Sequence, residues 1–312
     1  MKLLTLFTAP KPFTNPHIST IQRNALRSWQ ALGNAVEIVM IGNENGMAEV
    51  AEELGIRHIP QVRTNAQGTP LISSIFELGR QQNDSPFLAY VNADIILLPS
   101  LLDAIRLVGG TLSEFLMIGQ RWDLEVVQSL NPGENWSQDM HVWVNRDGQL
   151  HSRTGSDYFV FPRACFSDVP DFAVGRARWD NWMIYNARML KLPVVDATHS
   201  ILVIHQNHDY GHLPGGQTHY RLPESNDNLK LAGGRRNVFQ LDDATHVLED
   251  GKVMKMKLTW QRFWREFEIW PLVCLNSKKL GWLFYAIFHP RNAFLEVRGW
   301  LNFKLNNRKA KA

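Results

Sequence analysis

Three short clusters carry side chains able to do chemistry: Asn92-Ala93-Asp94, Trp179-Asp180-Asn181-Trp182, and His205-Gln206-Asn207-His208. Asp94 interrupts the apolar run Phe-Leu-Ala-Tyr-Val-Asn-Ala-Asp-Ile-Ile-Leu-Leu over 87–98. Such a run reads as a strand buried on both faces, as in parallel sheets. A neutral polar group buried there without a partner costs about 2–7 kcal/mol, and a charge costs more. Asp94 therefore needs a compensating partner, and the end of a central strand is where open α/β sheets bind ligands. A carboxylate in that place suits Mg²⁺ or Mn²⁺, which take oxygen ligands and share them with substrate phosphates. The alternative is that Asn92 and Asp94 cap a turn between two short strands.

Asp180 precedes a helix expected over 183–190, where the helix dipole favours a carboxylate. A general base facing an acceptor hydroxyl has this residue type and position. A helix cap flanked by core tryptophans is the other reading. His205 and His208 are candidate metal ligands beside Asp94, around a phosphate-bound cation. Solvated imidazoles, or a zinc site completed by an outside carboxylate, remain open at this point. No His-Glu-x-x-His pattern is present, so a zinc peptidase is not expected.

The elements that would position these groups follow a regular order. Residues 2–8 form a first strand, and Thr8, Ala9 and Pro10 begin the loop at its carboxyl end, a place that touches nucleotides in doubly wound folds. A helix over 18–32 is closed by Gly33. A strand over 36–42, a short helix over 47–54 and a strand over 56–59 follow. This alternation predicts a parallel, right-handed wound sheet. Thr69 and Pro70 read as the N-cap and first position of a helix over 71–81, with Arg63 upstream as a candidate phosphate contact. A plain capped helix fits the same residues. Further elements are a helix over 101–108, strands over 115–120 and 155–161, and strand-like segments over 193–198 and 200–204. The stretch 121–152 reads as an irregular insertion of the kind that holds an acceptor or lid. The polar stretch 226–236, with Arg235 and Arg236, reads as a lid over a diphosphate or as a solvated loop.

Composition agrees with a folded α/β chain. At 312 residues, 45% hydrophobic and 20% charged, it can bury a sizeable core. Two cysteines far apart indicate neither a disulfide framework nor a cysteine zinc site. The first apolar segment is too short for a signal-peptide core. No apolar stretch has the length needed to span a bilayer, and no nucleic-acid motif is present. A cytoplasmic setting is expected. The net charge of +3 hides an asymmetry, with +10 on 252–312 and −7 on 1–251. Five of the eleven tryptophans lie in that basic tail. An amphipathic helix over 260–270 followed by basic segments suits an anionic membrane surface; packing onto the chain's own domain would use the same apolar faces.

In the order of these features the chain resembles glycosyltransferases of the GT-A type over residues 1–245. The matching residues are Asn92-Ala93-Asp94, Trp179-Asp180-Asn181 and the stretch from His205 to His208. It also resembles a bacterial group of glycosyltransferases carrying Tyr-Val-Asn-Ala-Asp-Ile-Ile-Leu and His-Gln-Asn-His-Asp-Tyr. The resemblance implies a GT-A-like, Rossmann-like, mostly parallel sheet flanked by helices, here with a helical C-terminal extension over 246–312. It implies a nucleotide-sugar donor, expected to be UDP-linked, and an acceptor that is a glycan or small molecule. It also implies Mn²⁺ or Mg²⁺ held by Asp94 with His205 or His208, donor contacts from Asn92, Ala93 and Asp94, and Asp180 as base. One departure is that Asn92 stands where the family's Asp-x-Asp begins; an amide can bind a ribose but is a poorer metal ligand. Two other classes stay in view: a catalytically silent nucleotide- or glycan-binding module, and a metal hydrolase using His205, His208 and His212.

Overall fold

The computed structural model describes residues 1–208, 220 and 222–309. It divides into two units, Met1–Ala187 with Leu192–Met256, and Arg188–Lys191 with Lys257–Ala312. The first opens with β1 (Leu4–Thr8), α1 (Pro16–Gln30), β2 (Val36–Ile41), α2 (Met47–Leu54), β3 (Arg57–Ile59) and α3 (Ile72–Arg80). These are the elements that the apolar spacing predicts. The wound region continues through β4 (Phe87–Val91), β5 (Ile95–Leu97), α4 (Ser100–Thr111), β6 (Leu116–Ile118), β7 (Trp122–Leu124), α5 (Trp136–Asp147) and β8 (Gln149–Leu150). It closes with β9 (Tyr158–Pro162), α6 (Trp179–Met189), β10 (Val194–Asp196), β11 (Val203–Gln206), α7 (Pro223–Leu231), β12 (His246–Glu249) and β13 (Lys252–Lys255).

Nine strands form one sheet in the order β13-β12-β10-β6-β9-β4-β1-β2-β3. β1 pairs in parallel with both β2 and β4, and β10 with both β6 and β12; β9 runs antiparallel to β4 and β6. The sheet is thus mostly parallel, and the fold is α/β. From β1 the chain winds outward through β2 and β3, then returns to place β4 on the other side of β1. That reversal is a topological switch point, the crevice where such sheets take ligands. Leu4, Leu6, Phe7, Leu88 and Val91 are fully buried, as strands covered on both faces require. The covering helix α3 comes so close that a Cβ on Gly79 would lie 2.6 Å from the Phe7 ring, so only glycine fits.

Several expectations need correction. The run 87–98 is not one strand: it breaks at Asn92–Asp94, and its second half pairs in a separate four-stranded sheet, β5-β11-β7-β8. The helix expected from residue 71 starts at Ile72 after Leu71, without a side-chain cap. Pro70 and Leu71 are instead tied into bridges with Thr64 and Ala173, which removes Thr69 from the N-cap position. The insertion 121–152 is ordered by β7, α5 and β8, with Leu124, Met140 and Val144 in a small core shared with Ile96, Leu98 and Ile204. The stretch 226–236 is no loop: α7 runs to Leu231 and Asn228 is buried, bonding the Ala173 backbone in both directions. The hairpin β12–β13 joins the large sheet, so the first unit ends at Met256, not at 245.

The second unit contains α8 (Trp260–Val273), α9 (Lys278–Phe288) and α10 (Pro290–Lys309). Thr259 and Ser277 cap α8 and α9 through their hydroxyls. Gly281 on α9 lies against Leu272 of α8, where a Cβ would sit at 3.1 Å. No helix among the described residues is long and apolar enough to cross a membrane.

Candidate functional site

The switch point opens into a cavity of about 830 Å³. Ala9, Pro10 and Lys11 line it from the end of β1, and Asn92, Ala93 and Asp94 from the end of β4. His205, His208 and Asp180 also reach it. Thr8 does not line it; the residue is fully buried and its hydroxyl has no hydrogen-bond partner. Arg63 does not line it either. Its guanidinium lies 3.5 Å from Asp171 and 3.8 Å from Glu77 on the surface.

Residues more than a hundred positions apart meet here because of strand register. β11 pairs antiparallel with β5, setting His205 opposite Ile95, so the chain just past β11 runs beside Asp94. Gln206, fully buried, fastens the approach: its backbone N–H and its Nε2 both donate to the Asp94 carbonyl at 3.2 Å, and Nε2 also donates to Ile21 at 2.7 Å. The turn is closed by Ile95 N–H donating to the Asn92 carbonyl at 3.2 Å. The turn reading of Asn92–Asp94 therefore holds for the backbone, and all three residues line the cavity.

Asp94 is 7% exposed, with Oδ2 3.0 Å from Nζ of Lys11 and 3.2 Å from Nε2 of His208. Its Oδ1 is buried with no hydrogen-bond partner. Burial pushes this carboxyl up, but the Lys11 ammonium and the imidazoles of His208 and His205 outweigh it and hold the group well below the usual range. Among the described residues, Asp94, His205 and His208 form a group whose ligand atoms all lie within 4.8 Å of one another. One carboxylate and two imidazoles suit a borderline-hard divalent ion, and an orphaned carboxylate oxygen is the kind of buried acceptor such an ion satisfies. The residues fit a metal. His212, Asp209 and Tyr210 lie outside the described residues.

Asn92 points elsewhere. Its Nδ2 donates to Oδ1 of Asp157 at 2.8 Å, and its backbone N–H donates to the Asp157 carbonyl at 2.9 Å. Asp157 is paired on its other oxygen with Arg121, which also reaches Asp123 at 3.0 Å. Asp123 takes His151 at 2.6 Å and lies 3.2 Å from His205, which it faces across the parallel β7–β11 register. Burial opposes the charge on Arg121, but Asp157 and then Asp123 outweigh it and raise the guanidinium further. This chain of alternating charges links the Asn92 turn to His205. Sequence reading missed Lys11, Arg121, Asp123, His151 and Asp157. The available signals were Lys11 set between two prolines just after β1, and charged residues at the ends of short apolar strands.

Asp180 lies in the first turn of α6, which is anchored by Trp179 packing on Tyr90 and Phe159 at 5.0 and 5.1 Å between ring centroids. Desolvation, and then the nearby Asp157 charge, push its carboxyl up to about 6, against backbone N–H bonds from Asn181, Arg178 and its own amide. The helix thus begins at Trp179 and not at 183, so Asp180 sits inside its first turn between core tryptophans, with a carboxyl raised toward neutrality. Arg178, just upstream, holds φ at 94° and lines the same cavity.

No family model and no curated protein matches the chain. Among solved structures it is similar to S. aureus TarS 1-349 in complex with UDP-GlcNAc, at 13% identity and a TM-score of 0.30 over 42% of this chain. It is also similar to glucosyl-3-phosphoglycerate synthase from Mycobacterium tuberculosis bound to phosphoglyceric acid, at 13% identity and a TM-score of 0.45, covering 75% of this chain and 81% of that one. The same synthase with Mn²⁺, UDP and phosphoglyceric acid gives 14% identity and a TM-score of 0.41, covering 66% and 72%. The chain spans 37% of the length of the TarS chain it matches.

Proposed function

We propose that the chain is a GT-A-type glycosyltransferase that moves a sugar from a nucleotide-diphosphate donor, UDP-linked, to a hydroxyl of a glycan, lipid-linked glycan or small-molecule acceptor. The observation that carries this reading is one cavity, at the sheet's switch point, with Asp94 and two imidazoles among its lining residues and a carboxyl raised to about 6 on Asp180. Its volume of about 830 Å³ is of the size that takes a small organic ligand.

Asp180 takes the proton of the acceptor hydroxyl as that oxygen bonds to the anomeric carbon. The bond from the anomeric carbon to the diphosphate breaks with its electron pair leaving on phosphate, so the configuration inverts. Ala9, Pro10 and the Asn92–Asp94 turn bound the donor side, and Lys11 offers a positive charge to the phosphates. Asp94, His205 and His208 would hold Mn²⁺ or Mg²⁺, whose contribution is to neutralise charge developing on the leaving diphosphate.

A silent nucleotide-binding module is the second reading, favoured by one observation: a neutral amide, its Nδ2 donating to Asp157, stands at position 92 in place of a charged carboxylate. For the second unit we propose peripheral contact with an anionic membrane surface. Trp260 is 74% exposed and Phe263, Trp264, Phe267 and Trp270 are also exposed on α8, in a region of strong positive charge.

A thermal-shift panel of UDP, GDP, CDP, ADP and their common sugars, each with and without Mn²⁺, tests the donor assignment. Saturation at about 100 times Kd adds roughly 2.7 kcal/mol, enough to read. A shift with one base, larger with Mn²⁺, is expected; no shift with any nucleotide overturns the reading. Donor turnover in the presence of a nucleotide shift separates the enzyme from the silent module.

A further inference from the structure

Lys11 is fixed at its backbone and free only along its stem. Pro10 and Pro12 flank it, each with a ring-locked φ. Its N–H donates to Oε1 of Gln22 at 2.7 Å, and its carbonyl accepts from Nε2 of the same amide at 2.9 Å. Gln22 lies on α1 and is 1% exposed, so one buried side chain clamps both polar groups of Lys11. The ammonium then reaches Oδ2 of Asp94 at 3.0 Å and Nε2 of His208 at 2.9 Å, while those two atoms are 3.2 Å apart. Three atoms close a triangle.

An ammonium has donors only, so it draws on the same oxygen and nitrogen electron pairs that a metal would use. A divalent ion entering between Asp94 and His208 would meet a positive charge already seated there, between two side chains only 9% and 8% exposed, where repulsion is screened less than in water. The cavity also gives the ammonium somewhere to go, because Lys11 lines the donor side and its stem is long and flexible.

We propose that the Lys11 ammonium and a divalent cation are alternative occupants of the Asp94–His208 pair, the ammonium passing to the donor's phosphates when the ion binds. The inference rests on the metal-assisted reading above and adds a consequence of opposite sign to the usual one. Removing this lysine strengthens metal binding. It also makes the ion's affinity in the wild type depend on nucleotide, since phosphate supplies the displaced ammonium with a new partner.

Mn²⁺ titration of the full chain followed by electron paramagnetic resonance, without nucleotide, is the test. Lys11→Met is expected to bind Mn²⁺ at least tenfold more tightly than wild type, Lys11→Arg to match wild type, and Asp94→Asn to lose the site. Should Lys11→Met fail to fold, Lys11→Gln carries the same expectation. Equal or weaker Mn²⁺ affinity in the neutral variant overturns the proposal, as does wild-type affinity untouched by Asp94→Asn. A UDP thermal shift in the wild type alongside unchanged Mn²⁺ affinity in Lys11→Met would sink this inference alone and leave the donor assignment standing.

Discussion

Replacing Asp180 by Asn should stabilise the fold at neutral pH while removing the base. The carboxyl is raised from 3.8 to about 6 in the folded chain, chiefly by desolvation and then by Asp157. Below the unfolded value both states are neutral and the group contributes nothing. Between 3.8 and about 6 the unfolded chain releases its proton while the folded chain keeps it, so stability falls as pH rises. Above about 6 the whole penalty is present. At about 1.4 kcal/mol per pH unit this amounts to at most about 3 kcal/mol at pH 8, and about half of that at pH 5. It is a ceiling because the group keeps part of its hydration from the cavity. Asn preserves the oxygen that accepts the backbone N–H groups and carries no charge, so the variant gains what the wild type loses. Urea denaturation of both chains at pH 5 and pH 8 reads the difference, with the gap wider at pH 8. Equal stability at pH 8, or a gap independent of pH, would refute a desolvated, raised carboxyl. In parallel, wild-type transfer should climb with pH through about 6, and Asp180→Asn should lower it by roughly 10²–10⁴ as general-base loss does.

Three further outcomes follow from the geometry. Asp157→Ala leaves Arg121 with Asp123 as its remaining carboxylate partner and strips Asn92 of its acceptor; a loss of about 3 kcal/mol is expected, the low end for breaking a buried pair, measured by denaturant midpoint. Gly79→Ala drives a methyl to 2.6 Å from the Phe7 ring, and overpacking of about 1–3 kcal/mol should exceed the roughly 1 kcal/mol gained in helix propensity, read as a lowered Tm. Trp260→Ala with Trp264→Ala should reduce co-sedimentation with phosphatidylserine vesicles while leaving the melting temperature within a few degrees; unchanged sedimentation would remove the membrane reading of the second unit.

Legibility in the sequence followed the range of the interactions. The first five elements were readable because each writes its own periodicity, as Ile18, Ile21, Ala25 and Trp29 do on α1. Asp94 was readable because a charge in an apolar run demands a partner. A turn after Val91 was open as an alternative, but the move to a second sheet was not readable, since a strand that changes sheets keeps the same apolar composition on both sides of the bend. Nor was Lys11, whose partners Asp94 and His208 lie 83 and 197 residues away. Arg121, Asp123 and Asp157 carry a local signal as charges beside short strands, but no local pattern joins them, because Asp157 comes from the turn before β9, 36 residues beyond Arg121. Arg63 misled for the same reason in reverse: a helix start nearby in sequence suggested an anion, while the folded chain gave the guanidinium two surface carboxylates.

The most direct test of the central claim is calorimetric titration of UDP, with Mn²⁺, into the wild-type chain and into Asp94→Ala. One site per chain is expected, with affinity at least tenfold weaker in the variant. Wild-type binding that Asp94→Ala leaves unchanged would place the nucleotide somewhere other than this cavity, and no binding to either chain would contradict the donor assignment itself.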